Sequence, residues 1–124
     1  MPLIFFRGQA MKDDIDRVEY ASMLFDFYGS LLSGSQNEVM ALYHEDNLSL
    51  SEIAEEIGQT RQAVHYTLRK AEKALESYEE KLGLVATYKE NRQLAKEAVS
   101  LIETSGIPAS YAESLKRIID KITE

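Results

Sequence analysis

The sequence contains no cysteine and no tryptophan, and only two prolines and six glycines in 124 residues. Without thiols there can be no disulfide, thiolate metal site or cysteine nucleophile, and the chain fits a reducing cytoplasm. No apolar run reaches the roughly 18–20 residues a membrane-crossing helix requires, so membrane insertion is not expected. Positive charge is also in deficit. Against 21 Asp and Glu stand 14 Lys and Arg, a formal net charge of −7. That balance opposes a strong non-specific hold on a polyanion.

Chemistry-bearing constellations are missing as well. There is no glycine-flanked nucleophile elbow and no phosphate-cradling glycine loop, so acyl and phosphoryl transfer have no foothold. His44 beside Glu45 and Asp46, or His65 alone, offers too few converging donors for a metal site. No cofactor is implied, and the chain is not expected to be an enzyme.

What remains is ordinary globular composition, 44% hydrophobic and 28% charged, enough for one modest core. Residues 1–10 (MPLIFFRGQA) are apolar but too short for a signal peptide with its cleavage site. Met11 and the acidic stretch Lys12-Asp13-Asp14-Ile15-Asp16 follow, so Met11 is the expected natural start and the leader an extension.

From there the pattern is helical throughout. Over residues 15–32, Val18, Tyr20, Ala21, Leu24, Phe25, Tyr28, Leu31 and Leu32, related by steps of three and four, make one broad stripe of a helix. Ser35 with Glu38 reads as a capping box opening a short helix that buries Val39, Leu42 and Tyr43. Ser49 with Glu52 reads as a second, opening a helix that carries Ile53, Ala54 and Ile57 and stops at Gly58. Thr60 is an acceptable N-cap for a long helix burying Val64, Leu68, Ala71, Leu75, Tyr78 and Leu82. No proline interrupts it before Gly83. A stripe from Leu84 to Ile102 follows. Ser110 with Glu113 reads as a third capping box, before a last helix with Leu115, Ile118, Ile119 and Ile122 inward.

The informative stretch is residues 50–69. Two helices crossing at a tight turn need a small residue at their contact, positive φ in the turn and a branched apolar anchor in the second helix. Ala54, Gly58 and Val64 stand at that spacing. The outward residues of the second helix are then Thr60, Arg61, Gln62, His65, Tyr66 and Arg69, several of them types that reach base edges or phosphates. Over residues 61–73, Arg61, Arg69, Lys70 and Lys73 against Glu72 give a local charge of +3. Residues 44–58 hold five acids, Glu45, Asp46, Glu52, Glu55 and Glu56. The basic face is therefore local.

LSLSEIAEEIGQTRQAVHYTLRKAEKAL resembles the promoter-binding C-terminal region of bacterial sigma factors. With LFDFYGSLL ahead of it and ESYEEKLGL behind, the chain is more closely similar to the YlxM family of helix-turn-helix proteins, from about Met11 to Leu84. Members are encoded beside genes for the signal recognition particle GTPase and its receptor. The resemblance therefore implies a role in that pathway or its regulation, with the particle's RNA or its GTPase as a partner. Gln59, where an apolar residue is usual, and Thr67, where one is usually buried, depart from the general motif.

The expected architecture is all-α: a sigma-factor-like helix-turn-helix without a wing over residues 11–82, begun by an N-terminal helix, and a C-terminal helical extension over 83–124. The expected function is non-catalytic regulation by binding DNA or RNA. Arg61, Arg69, Lys70 and Lys73 would meet phosphates, with Gln62 and His65 nearest the bases. The alternative is an adaptor that docks a targeting or translation factor through the same fold. Homodimerisation is expected from the stripe over 84–102 and the aromatic first helix, which offer more apolar face than one short helix-turn-helix covers.

Overall fold

The computed structural model describes residues 10–124, with side chains from residue 16 onward. The leader expected over residues 1–10 lies outside them except for Ala10, which begins the first helix. Among the described residues the chain is all helical: α1 (Ala10–Tyr28), α2 (Gly34–His44), α3 (Leu50–Ile57), α4 (Arg61–Leu82), α5 (Leu84–Thr104) and α6 (Ala109–Thr123), with a 3-10 turn at Gly29–Leu31. None of these helices is long and apolar enough to cross a membrane. The chain divides into two compact units, one ending at Leu82 and one comprising Gly83–Glu124.

In the first unit α4 is the central strut, packed against α1, α2 and α3. Its inward residues Val64, Leu68, Ala71 and Leu75 sit at steps of four, three and four, and all are buried. They meet Leu24, Phe25 and Tyr28 of α1, Val39 and Met40 of α2, and Ile53 and Ala54 of α3, which complete the core of this unit. Burying each large side chain fully contributes roughly 1.5–3 kcal/mol. The aromatic first helix is thus largely consumed by its own unit, although Val18, placed on the apolar stripe by sequence, is exposed.

The first helix ends earlier than the stripe over residues 15–32 suggests. The chain tightens into the 3-10 turn, closed by the Leu32 N–H donating to the Gly29 carbonyl at 3.1 Å. Leu32 and Ser33 then run extended, and Ser33 caps α2: its hydroxyl accepts from the Gln36 N–H. The expected capping box at Ser35 does not form, because Ser35 already lies inside the first helical turn. The Asn37 amide holds this register by donating to the Gly29 carbonyl at 2.8 Å.

The second unit is a two-helix hairpin of α5 and α6, turned at residues 105–108 with Gly106 at φ 79°. Pro108, with extended ψ, precedes α6, and its carbonyl accepts from the Tyr111 and Ala112 N–H groups. That sets the helix start ahead of Ser110, so the third expected capping box is also absent. Lys116 pairs with Glu103 across the hairpin at 3.0 Å. The residues of α6 on its shielded flank are Ala112, Lys116, Ile119 and Thr123. Leu115, Ile118 and Ile122, expected inward, are exposed, as is Leu82 at the end of α4.

Candidate nucleic-acid interface

The Ser49 capping box forms in full. Ser49 Oγ accepts from the Glu52 N–H at 3.1 Å, and the Glu52 carboxylate accepts from the Ser49 N–H at 2.8 Å. Two donors at the start of α3 are thereby satisfied, and the helix is pinned only eight residues from its end. At that end Gly58 adopts φ 71°, ψ 37°. The N–H groups of Gly58 and Gln59 both donate to the Ala54 carbonyl, the left-handed closure a glycine permits without strain. Thr60 then starts α4: its hydroxyl accepts from the Ala63 N–H at 3.0 Å. Ala54 is buried where α3 meets α4, and Ile53 and Val64 are both fully buried. This is a helix-turn-helix, with α3 first and α4 second.

Beyond the turn, Thr60, Arg61, Gln62, His65, Tyr66, Arg69, Lys70 and Lys73 are all solvent-exposed. At 100° per residue Gln62, Tyr66, Arg69, Lys70 and Lys73 fall on the side of α4 away from Val64, Leu68 and Ala71, while Arg61 and His65 lie toward the Leu68 edge of that face. Lys70 lies over the Tyr66 ring, its ammonium 5.6 Å from the centroid, so one turn of α4 presents a cation backed by an aromatic face. Leu68 is buried and Thr67 half-buried, so the anchor of this helix has moved one position from the general motif.

The sequence reading missed that α4 changes sign along its length. After Lys73 come Glu76, Glu79 and Glu80 with only Lys81 to offset them. Glu76 and Glu80 continue the same face that is basic in the first half. Their spacing of three and seven residues from Lys73 marks them as the same face.

His44 stands apart from this face. It closes α2 half-buried, its ring edge-on to Tyr43 at 4.9 Å between centroids, with Nε2 buried and lacking a hydrogen-bond partner. Burial lowers its pKa, against a weaker opposing pull from Asp26. It borders a cavity of about 340 Å³ with Arg17, Tyr20, Tyr43, Glu72 and Glu76. Glu72 is raised by burial and by Glu76, against the lowering effect of Arg69. Tyr20 is raised by burial, then by Glu79 and Glu76. Among the described residues no three His, Cys, Asp or Glu converge as a metal site would need.

A family described as "Putative helix-turn-helix protein, YlxM / p13 like" (UPF0122) matches residues 12–118. The chain belongs to this family. Relatives named UPF0122 protein include one from Desulforamulus reducens, 44% identical over 105 residues, spanning 83% of this chain and 90% of the relative. Another, from Halalkalibacterium halodurans, is 42% identical and spans 82% and 95%. One from Bacillus pumilus is 39% identical and spans 87% and 97%. The UPF0122 match runs through both units, so the α5–α6 hairpin is included in the family along with the helix-turn-helix.

Proposed function

We propose that this UPF0122 protein is a non-catalytic regulator that binds nucleic acid through the first half of α4. The observation that carries the reading is the row of exposed side chains from Arg61 to Lys73, directly behind the Gly58 turn and locally cationic. In such a motif the second helix enters the major groove and its first turns face base edges. Gln62 and Arg61 stand there, while Arg69, Lys70 and Lys73 lie nearer the phosphates. Residues 11–82 form the binding domain in this reading, and 83–124 its extension.

The test is binding of the full chain to genomic DNA fragments and to signal recognition particle RNA across a salt series. Sequence-dependent affinity that falls as salt rises supports the reading. No binding to either at low salt overturns it.

The resemblance to proteins encoded beside the signal recognition particle genes supports an action in or on that pathway, in the cytoplasm. Co-purification with the particle's RNA or its GTPase under native salt is the expected result, and recovery of neither removes the pathway link.

A second reading, an adaptor that docks a protein factor, is favoured by one specific observation. Glu55 and Glu56 are exposed on α3, the helix that in this motif crosses the phosphate backbone. Acid there repels DNA and suits a basic protein surface. The Glu55→Gln/Glu56→Gln variant separates the two: tighter nucleic-acid binding at low salt supports groove reading, whereas loss of a protein partner supports the adaptor.

A further inference from the structure

The Gly83–Glu124 unit has a hydrophobic surface that its own fold leaves uncovered. It contains 42 residues, α6 buries none of its side chains, and Val85 is the one buried residue of α5. A unit near 40 residues normally needs disulfides, a metal or an oligomeric partner. The sequence has no cysteine.

On α6, Tyr111, Leu115, Ile118 and Ile122 are 65%, 42%, 54% and 74% exposed. Their steps of four, three and four are those of a coiled-coil seam, in which each apolar side chain inserts between residues of a facing helix. The seam does not face α5, since the shielded flank is Ala112, Lys116, Ile119 and Thr123. On α5, Leu94 and Leu101 add 54% and 70% exposed leucines at a seven-residue spacing.

We infer that the α6 seam is the interface through which two copies of this chain form a dimer, α6 against α6. Two features select a second copy as the occupant. One is extent: the four large apolar side chains of α6 form an unbroken strip over three turns of the helix, which a second α6 can cover along its length. Charge is the other. A chain of net −7 repels its own copy, yet the residues flanking the seam are Ala112, Ser114 and Ile119, with Lys121 at one end. Glu113, Asp120 and Glu124 fall on the opposite side of the helix, so the seam is the face on which two acidic chains approach without opposing carboxylates. A two-fold contact of identical patches is the commonest closed assembly. This inference does not depend on what α4 binds.

The test is sedimentation equilibrium of the full chain from about 1 to 100 µM, with helicity followed by circular dichroism. The wild type is expected to be a dimer. Leu115→Glu/Ile122→Glu is expected to be a helical monomer, and the milder Ile118→Ala to weaken dimerisation by roughly tenfold, the cost of an apolar side chain lost from an interface. Leu31→Glu, an exposed leucine of the other unit, is expected to remain a dimer. A monomeric wild type at 100 µM overturns the proposal, as it would if the chain's own first unit or a different protein covers the seam. A dimer that survives the Leu115→Glu/Ile122→Glu change, or that Leu31→Glu disperses, overturns the assignment to α6.

Discussion

The hydroxyl of Tyr28, at the end of α1, donates to the carboxylate of Glu79 near the end of α4, two residues separated by 51 positions in sequence. Tyr28 is almost wholly buried, and its ring lies 6.0 Å from that of Tyr78, whose own hydroxyl reaches the Leu31 carbonyl. Together these contacts hold the far end of α4 against α1, and so fix the axis along which its basic half projects. Tyr28→Phe keeps the ring and removes the donor. It should cost about 1.5 kcal/mol, the scale of a hydrogen bond to a charged group, measured by urea denaturation. An unchanged midpoint would show that the hydroxyl contributes nothing net.

Gly58 makes the turn by occupying the left-handed region. An added Cβ meets nothing within 4 Å, so any penalty for Gly58→Ala is conformational. That penalty should be about 1–2 kcal/mol. Gly58→Asn should lose less, because Asn tolerates this region. Gly34→Ala, also in open space but with ordinary φ, should be neutral or mildly stabilising. Equal losses at Gly58 and Gly34 would contradict the argument.

Groove reading separates two kinds of α4 residue. Gln62→Ala or Arg61→Ala should cost about 1–3 kcal/mol on a preferred sequence and much less on random DNA. Lys73→Ala should weaken all sequences alike and reduce the salt slope by about one ion. All three side chains are exposed, so thermal midpoints should barely move. Uniform effects from Gln62→Ala would remove it from base contact.

Acid should destabilise the first unit through His44. Burial holds its folded pKa below the ordinary value of 6.5. The stability that a neutral His44 confers is complete above 6.5 and is lost as pH falls through that value toward the lowered one, because the unfolded chain then binds more protons. Glu72 runs in the opposite sense. Its raised pKa favours the folded state below 4.5 and withdraws that advantage as pH rises through the folded value. The comparison therefore belongs between pH 7.5 and 6, above the ordinary carboxylate range. Wild type should lose stability over that interval, and His44→Gln should lose distinctly less.

The elements most legible in the sequence are those where two local signals agree. Ser49 with Glu52 forms its capping box, Gly58 takes the left-handed cap and Thr60 caps α4, because side chain and backbone satisfy each other within a few residues. Ser35 and Ser110 carried the same signal and failed. In each case an extended residue just upstream, Ser33 or Pro108, had already set the helix start. The inward faces of α1, α3 and α4 followed largely from their period, apart from the exposed Val18 and Leu82; α2 buries Met40, with the expected Leu42 and Tyr43 only half-buried, and α6 departed altogether. Its strongest stripe points away from α5, and periodicity identifies an apolar face without naming what covers it. The exposed row from Thr60 to Lys73 was readable because it is the complement of Val64, Leu68 and Ala71. The cavity beside His44 was not, since Tyr20, His44 and Glu72 come from three helices brought together only by folding.

The change of sign along α4 sets a depth gauge. At 1.5 Å per residue, Arg61 to Lys73 spans about 18 Å, roughly the rise of five base pairs of duplex. The partial positive charge at a helix N-terminus adds to the pull on phosphates at the leading end. The trailing end carries Glu76, Glu79 and Glu80 and is pushed away from the same polyanion. In the proposed groove reading, such a helix would engage a groove with its leading half and be held off where the carboxylates begin. If α4 reads a groove as proposed, one copy reads only a very short word, and a unique site needs a second copy or a second molecule to supply the rest.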